Sequence, residues 1–284
     1  MGCKIGNHKN IKSNIKLKYS TDLSGKFLFM RHGKTKFNSD HEKNRQINIS
    51  YIDCHLSLKG IQQVKAKQNI INNLSIEKVY VSPFYRALQT ANILLENHPN
   101  LENIQVIVHP KIAEIGGCTH DFILDIKQNK RDFNKNSKVK FNWDFFDEYT
   151  RRLNYDENFF YFEEYDNIQD NIKNELYHKL RELYDNNQEE LYKKELEKFA
   201  IFRIENKKKF ESIKHEYNRF LEFKNQLKTE YNNTLNNKKQ KILIISHSSF
   251  IKISTSPIPY KEKNQKAHPS CHSMKNLEII SIFL

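Results

Sequence analysis

The sequence predicts a three-layer αβα sandwich built on a mostly parallel sheet. Phe27–Met30 (FLFM) and Lys241–Ser246 (KILIIS) contain hardly any polar residues. Strands without polar alternation are typical of a sheet that is covered on both faces. Segments with helical spacing lie between the strand-like runs, and this order favours parallel pairing through crossover connections.

Five short segments have the apolar and β-branched composition of strands. They are Lys26–Met30, Val79–Val81, Gln105–Val108, Lys241–Ser246 and Leu277–Phe283. We expect all five to belong to one sheet.

Three segments between these strands have apolar residues at helical spacing. They are Leu58–Ile71, Pro83–Glu96 and Phe210–Lys228. In the second, Ser82 is the expected N-cap, and Pro83 takes the first helical position, where a missing N–H is harmless.

The chain divides into a basic tail, residues 1–23, and one domain, residues 24–284, with a helical and aromatic insertion at about 121–209. Trp143–Tyr165 contains many aromatic rings, so we expect this stretch to pack over the domain. Residues 186–209 are rich in lysine and glutamate, which predicts a solvated helix. We expect the insertion beside the functional site, where it would determine specificity.

The formal net charge is +13, which favours anionic partners of any kind. The lysines are scattered and no zinc-finger or zipper pattern occurs, so we expect no nucleic-acid binding. The four cysteines have no C-x-x-C spacing, and no secretory signal is present, which favours a reducing, cytoplasmic environment. Cys271 and His272 lie near His268 without a second cluster of ligands, so we expect no metal site.

The N-terminus reads MGCKIG and is followed by lysines without an acidic residue before Asp22. Gly2 is a candidate for myristoylation and Cys3 for palmitoylation, although Gly6 stands where the usual signal has Ser or Thr. Two interpretations stay open: an acylated tail that anchors the protein to the cytosolic face of a membrane, and a disordered basic arm. No apolar run approaches the roughly 20 residues of a membrane span.

Polar side chains follow four of the predicted strands. They are Arg31 and His32 after the first, Ser82 and Arg86 after the second, Glu114 after the third and His247 after the fourth. Ligands of open α/β sheets bind outside the carboxyl ends of the strands. The sequence therefore predicts one site at this edge of the sheet.

The chemistry of these residues suits a phosphoryl group. Arg31 and Arg86 would donate paired hydrogen bonds to phosphate oxygens, and Asn38 would add a neutral donor. A neutral imidazole is a competent nucleophile towards phosphorus, which is the role expected of His32. A protonated Glu114 could deliver a proton to the departing oxygen.

The motifs resemble those of the histidine phosphatase superfamily, which has the phosphoglycerate mutase-like fold. They are RHGKTKFN at Arg31–Asn38, LSLKG at Leu56–Gly60, SPFYRALQTA at Ser82–Ala91, IAE at Ile112–Glu114 and SHSSF at Ser246–Phe250. The resemblance implies that His32 is the phosphorylated nucleophile and Glu114 the proton donor. It implies that Arg31, Asn38, Arg86 and His247 form the phosphate pocket, and that no cofactor is needed.

The motifs depart from the family in two places. Ser248 follows the second histidine, where the family usually has glycine. Ile115, Gly116 and Gly117 follow the acid, where the mutases have an arginine and an aromatic residue. We therefore prefer a phosphomonoester phosphatase to a mutase-type phosphoryl transferase. A catalytically weak, membrane-tethered binding module of the same fold is a third alternative, and the substrate is left open between a phosphorylated small molecule and a phosphoprotein.

Overall fold

A seven-stranded sheet forms the middle layer of the computed structural model, which describes residues 19–114, 116–135, 137–205, 210–233, 240–262 and 265–282. Its strands are β1 (Tyr19–Ser20), β2 (Phe27–Arg31), β3 (Ile76–Val81), β4 (Gln105–Val108), β5 (Phe141–Asn142), β6 (Lys241–Ser246) and β7 (Ile279–Ile282). Their spatial order is β1-β7-β2-β6-β3-β4-β5. β7 pairs antiparallel with β2 and β1, and every other pair is parallel. The mostly parallel sheet predicted from the sequence is confirmed.

Helices cover both faces of this sheet. They are α1 (Lys36–Ser39), α2 (Leu58–Asn72), α3 (Tyr85–Leu95), α4 (Ile126–Lys135), α5 (Asp144–Thr150), α6 (Asp170–Asp185), α7 (Glu189–Glu205), α8 (Ile213–Asn233) and α9 (Ser248–Ser254). Short 3₁₀ turns lie between them, at Arg45–Ile47, Ile49–Tyr51, Leu101–Asn103, Pro110–Ile112, Thr119–Asp121 and Glu157–Glu164.

Alternate residues of β2 enter two different cores. Leu28 and Met30 belong to the cluster that also contains the buried residues of α2 and α3. Phe27 and Phe29 belong to a second cluster with residues of α8 and α9. Since successive side chains of a strand point to opposite faces, the two clusters lie on opposite sides of the sheet, and the three-layer architecture follows.

The aromatic stretch of the insertion packs into the first of these cores, as expected. Its fully or nearly fully buried rings include Phe146, Phe159, Phe160, Tyr161 and Phe162. The solvated helix expected at residues 186–209 needs correction, because one face of α7 is buried. Tyr192, Leu196, Phe199 and Ala200 form that face, and their helical spacing is hidden among lysines and glutamates.

The expected start of α3 is wrong. The helix begins at Tyr85 rather than Pro83, and its N-cap is Phe84, which makes no side-chain cap hydrogen bond. Tyr85 N instead donates to the Asp53 carboxylate at 3.0 Å. The Ser82 hydroxyl accepts from Phe84 N, at 3.5 Å, before the helix begins. The two-residue strands β1 and β5 were not predicted, since two residues carry no readable periodicity.

The predicted membrane attachment depends on the N-terminal tail. Gly2 and Cys3, the expected acylation sites, lie outside the residues that the structure describes. Among the helices of the described ranges, none is both long enough and apolar enough to cross a bilayer.

Candidate active site

The carboxyl ends of β2, β6 and β3 lie side by side, and a polar residue follows each. His32 N donates to Ser246 O at 3.0 Å, and Ser82 N donates to Ile245 O at 3.1 Å. The parallel hydrogen-bond ladder thus continues to the first residue beyond each strand. His32, Ser82 and His247 therefore emerge together at one edge of the sheet, as the sequence predicts for this edge.

His32 is buried and its tautomer is fixed by the backbone. Its Nδ1 lies 2.8 Å from Gly33 O, and a carbonyl can only accept, so Nδ1 carries the proton and Nε2 the lone pair. Burial, followed by the positive charges of Arg86 and Arg31, holds the pKa of His32 well below its usual range. A neutral ring with a fixed lone pair is the form that can attack an electrophile.

The neighbouring loop residues hold this histidine in place. Asn276 Nδ2 donates to His32 O at 2.9 Å. Gly33 N donates to Thr90 Oγ1 at 3.0 Å, and the same hydroxyl donates to Arg86 O at 2.7 Å. Thr90 therefore links the loop that carries His32 to the helix that carries Arg86.

His247 lies beside His32, with 5.1 Å between the ring centroids. Its Nε2 is 2.7 Å from Ser82 Oγ. Burial, followed by the positive charge of Arg86, holds the pKa of His247 well below its usual range, so this ring is also neutral near pH 7.

Two arginines, the buried Arg86 and the partly buried Arg31, supply positive charge to this pair of rings. Arg31 donates from Nη1 to Met274 O at 2.9 Å. Arg86 donates from Nη1 to His120 O at 2.5 Å and from Nη2 to Asp121 Oδ1 at 3.2 Å. Burial lowers the pKa of Arg31, but guanidinium groups stay charged at any working pH.

Three buried nitrogen atoms of this group have no hydrogen-bond partner among the described residues. They are Nε of Arg31, Nε of Arg86 and Nδ1 of His247. An unsatisfied buried donor is unfavourable by roughly 1–3 kcal/mol, and by more when it is charged. An anion with several acceptor oxygens would satisfy such donors together.

Glu114 is held at the start of α9, where its Oε2 accepts from Ser249 N at 3.2 Å. The loop before it is braced by Arg219, whose Nη1 donates to Ala113 O at 2.9 Å and to Lys111 O at 2.6 Å. Arg219 is in turn paired with the buried Glu211 at 2.9 Å. Burial lowers the pKa of Arg31, and the negative charge of Glu114 acts in the opposite direction.

The side-chain oxygen of Asn38 accepts two hydrogen bonds, while the amide nitrogen is the group expected to donate to phosphate. Asn38 is the third residue of the short helix α1, and its Oδ1 accepts from Thr35 N at 3.4 Å. The same oxygen accepts from Asn276 Nδ2, also at 3.4 Å. In these contacts Asn38 is therefore linked to His32 through Asn276.

Residues 27–145 match the family model of the histidine phosphatase superfamily, branch 1. Over this region, which is less than half of the chain, the sequence is similar to the histidine phosphatase superfamily. The matched region contains Arg31, His32, Asn38, Arg86 and Glu114. His247 lies outside the matched region, and its place at the site rests on the geometry described above.

Curated members of the superfamily match the chain over short regions. Fructose-2,6-bisphosphatase TIGAR B of Danio rerio is 34% identical over 94 residues, which are 33% of this chain and 35% of the relative. A 2,3-bisphosphoglycerate-dependent phosphoglycerate mutase of Chlamydia pneumoniae is 33% identical over 90 residues, 31% of this chain and 37% of the relative. The chain thus spans about a third of the length of these relatives.

Solved structures of the superfamily are similar over more of the chain, at low identity. The ecdysone phosphate phosphatase from Bombix mori, in complex with tungstate, covers 89% of this chain and 86% of its own, with 13% identity and a TM-score of 0.43. The phosphoglycerate mutase from Bacillus anthracis covers 80% of this chain and 76% of its own, with 16% identity and a TM-score of 0.41.

Several contacts at this candidate site were not predicted. Ser82 was noted as an N-cap, but it contacts His247. Asn276 is 244 residues from its partner His32 in sequence, and no local sequence pattern predicts such a contact. His120 and Asp121 form a short turn without helical or strand periodicity.

Within the part of the chain that the structure describes, two groups of side chains could offer ligands to a metal ion, and in each the donor atoms lie within 4.8 Å of one another. The groups are Cys118 with His120 and Asp121, and Glu164 with Glu211 and His215. Protein cations already neutralise both, since Arg86 pairs with Asp121, and Lys111 and Arg219 pair with the two glutamates.

The cluster considered from the sequence has other contacts: His272 lies 2.5 Å from Glu278, and Cys271 lies 3.3 Å from the Tyr260 hydroxyl.

Proposed function

We propose that the chain is a phosphomonoester phosphatase that works through a phosphohistidine intermediate on His32. One observation carries the proposal. The buried donors Arg31 Nε, Arg86 Nε and His247 Nδ1, without partners among the described residues, belong to side chains grouped around a neutral histidine with a fixed lone pair. Such a group of donors suits the oxygens of a transferring phosphoryl group.

In the first step, Nε2 of His32 attacks phosphorus and the bond between phosphorus and the leaving oxygen breaks. The arginines and His247 stabilise charge on the phosphoryl oxygens, a contribution that usually dominates phosphoryl transfer. Glu114, in its protonated form, gives its proton to the leaving oxygen, which departs as an alcohol.

In the second step, water attacks the phosphohistidine. Glu114, now a carboxylate, takes a proton from this water, and the bond between phosphorus and Nε2 breaks. Inorganic phosphate leaves, and His32 returns to its neutral form. The hydrogen bond from His32 Nδ1 to Gly33 O supports both steps, because it orients the ring and accommodates the charge that the ring gains.

The proposed substrates are phosphorylated small molecules. Matched relatives are named as a fructose-2,6-bisphosphatase and a 2,3-bisphosphoglycerate-dependent phosphoglycerate mutase, and both names refer to small phosphate esters. Purified protein should release inorganic phosphate from members of a panel of sugar phosphates, phosphoglycerates, nucleotides and a generic aryl phosphate. Phosphoryl transfer to an acceptor hydroxyl without release of phosphate would support the mutase instead, and phosphate release from phosphoproteins alone would overturn the proposed class of substrate.

We also propose that Gly2, Cys3 and the lysines before Asp22 attach the protein to the cytosolic face of a membrane. A single myristoyl chain binds a bilayer weakly. A second acyl chain on Cys3 and a basic segment that attracts anionic lipids would together make the attachment stable.

A further inference from the structure

Arg86 is clamped at both of its terminal nitrogens by one short turn, residues 118–121. Nη1 donates to the carbonyl of His120 at 2.5 Å, and Nη2 pairs with Asp121 Oδ1 at 3.2 Å. Arg86 is 1% exposed and Asp121 is 4% exposed. Rotation of this planar guanidinium would break both contacts, so they favour one orientation. The Nε of Arg86 has no hydrogen-bond partner among the described residues, so this edge of the guanidinium can bind a ligand.

The turn itself is anchored on several sides. Cys118 N donates to Asp121 Oδ2 at 3.3 Å, which closes the turn on its own carboxylate. Thr119 Oγ1 donates to Asn48 O at 2.9 Å. The His120 ring stacks on Phe37, with 3.7 Å between centroids. The carboxylate is therefore fixed before any ligand arrives.

Close packing around Asp121 leaves it little freedom. A Cβ added to Gly116 would lie 2.4 Å from Asp121 Oδ2, so a side chain at that position would displace the carboxylate. Gly117 has φ of +81°, a conformation that favours glycine. The two glycines that depart from the mutase pattern thus permit this turn to approach Arg86.

The insertion also supports the turn. Helix α7 packs against Thr119–Asp121 and against the neighbouring turns Arg45–Ile47 and Ile49–Tyr51. A Cβ on Gly117 would also meet the Arg203 side chain of α7, at 3.2 Å from Cγ. The chain of contacts runs from α7 through the turn to the guanidinium of Arg86.

We propose that Asp121 is a positioning residue for phosphoryl transfer, which acts by fixing the guanidinium plane of Arg86. The inference rests on the proposed function, because it assigns Arg86 to the phosphoryl oxygens. It also gives the insertion a role, since α7 holds the turn that holds Arg86. Preorganised donors are effective because they need no reorientation during the reaction.

A double-mutant cycle tests this inference. Asp121→Asn keeps the volume but loses the charge and one acceptor, and it should lower kcat/KM for an aryl phosphate about tenfold or more. In an Arg86→Met background there is no guanidinium to position, so Asp121→Asn should cause no loss. Equal losses of kcat/KM in both backgrounds would mean that Asp121 only stabilises the fold of the turn. A gain of kcat/KM in the wild-type background would mean that the charge of Asp121 merely repels the substrate. Either result overturns the inference.

A matched control and a second readout keep the experiment decisive. Asp156 pairs with Arg181 at 3.2 Å in the insertion, and Asp156→Asn should leave kcat/KM unchanged. The dissociation constant of vanadate, a phosphate mimic, should show the same pattern of coupling between Asp121 and Arg86. If vanadate shows the coupling while no phosphate ester is hydrolysed, the proposed phosphatase fails and the positioning role stands. Failure of the wild-type chain to bind vanadate would overturn the proposed pocket and this inference together.

Discussion

The hydroxyl oxygen of Ser82 lies 2.7 Å from Nε2 of His247, and this contact joins the ends of two neighbouring parallel strands. Both residues are fully buried. Ser82 Oγ also accepts from Phe84 N at 3.5 Å, so the serine proton can be donated to Nε2. The ring proton of the neutral His247 then resides on Nδ1, where it can be donated to a phosphoryl oxygen.

Ser82→Ala should therefore impair catalysis. Without the serine, Nε2 of His247 loses its donor, and the ring is free to adopt the other tautomer or to turn. We expect kcat to fall about tenfold, in line with the loss of one oriented hydrogen bond. Ser254 is an equally buried serine whose hydroxyl donates to Phe250 O at 2.7 Å within α9. Ser254→Ala should leave kcat unchanged, and a similar loss in both variants would contradict the role given to Ser82.

Glu114→Gln should make the first step depend on the leaving group. The amide cannot donate a proton as the carboxylic acid does, so esters with a basic leaving oxygen need the proton most. Single-turnover rates for a series of aryl and alkyl phosphates should fall little for the most acidic leaving groups and about 100-fold or more for alkyl esters. A uniform loss across the series would assign proton transfer to another group.

Stability should decline in mild acid, in part because of His109. This histidine is fully buried, and its Nε2 lies 2.9 Å from Gln226 Oε1. Burial lowers its pKa from 6.5 to about 4. The unfolded chain therefore binds the proton more readily than the folded protein does. The contribution of His109 to the free energy of unfolding is fully present above pH 6.5, and it is lost as the pH falls towards 4. This histidine would contribute up to about 3 kcal/mol to that loss.

His109→Gln should remove this part of the pH dependence. Urea unfolding at a series of pH values between 6.5 and 4 should give a shallower decline for the variant than for the wild-type chain, whatever the difference at pH 7. Parallel curves for the two proteins would show that His109 does not carry the effect.

Gly2→Ala should release the protein from membranes. The substitution blocks myristoylation, and fractionation of cells that express the full chain should move it from the membrane to the soluble fraction. Cys3→Ser should weaken attachment less completely, because the first acyl chain and the lysines remain. Recovery of the wild-type chain in the soluble fraction would contradict the attachment.

Much of the fold could be predicted because its core strands are apolar on both sides. Lys241–Ser246 is a strand over the predicted residues, and the first strand is displaced by one residue, from Lys26–Met30 to Phe27–Arg31. The buried face of α7 was missed because charged residues dominate its composition, although Tyr192, Leu196 and Phe199 have helical spacing. Local composition outweighed periodicity in that prediction.

The site could be predicted only where residues follow strands. His32 and His247 were found because the topology of a parallel sheet brings strand ends together. Ser82 was assigned to a cap by a local rule, but its contact with His247 depends on tertiary structure. Asn276 and Asp121 reach the site from loops, and nothing in their sequence neighbourhood specifies where those loops go.

The most direct test of the proposed function is rapid quenching of the wild-type enzyme during turnover of a phosphate-labelled substrate. The account predicts an acid-labile phosphoenzyme whose label maps to His32, formed at a rate no slower than kcat. The His32→Ala variant should neither form it nor release phosphate. Hydrolysis by the wild-type chain, together with the same labelled intermediate in His32→Ala, would contradict the assignment of His32 as the nucleophile.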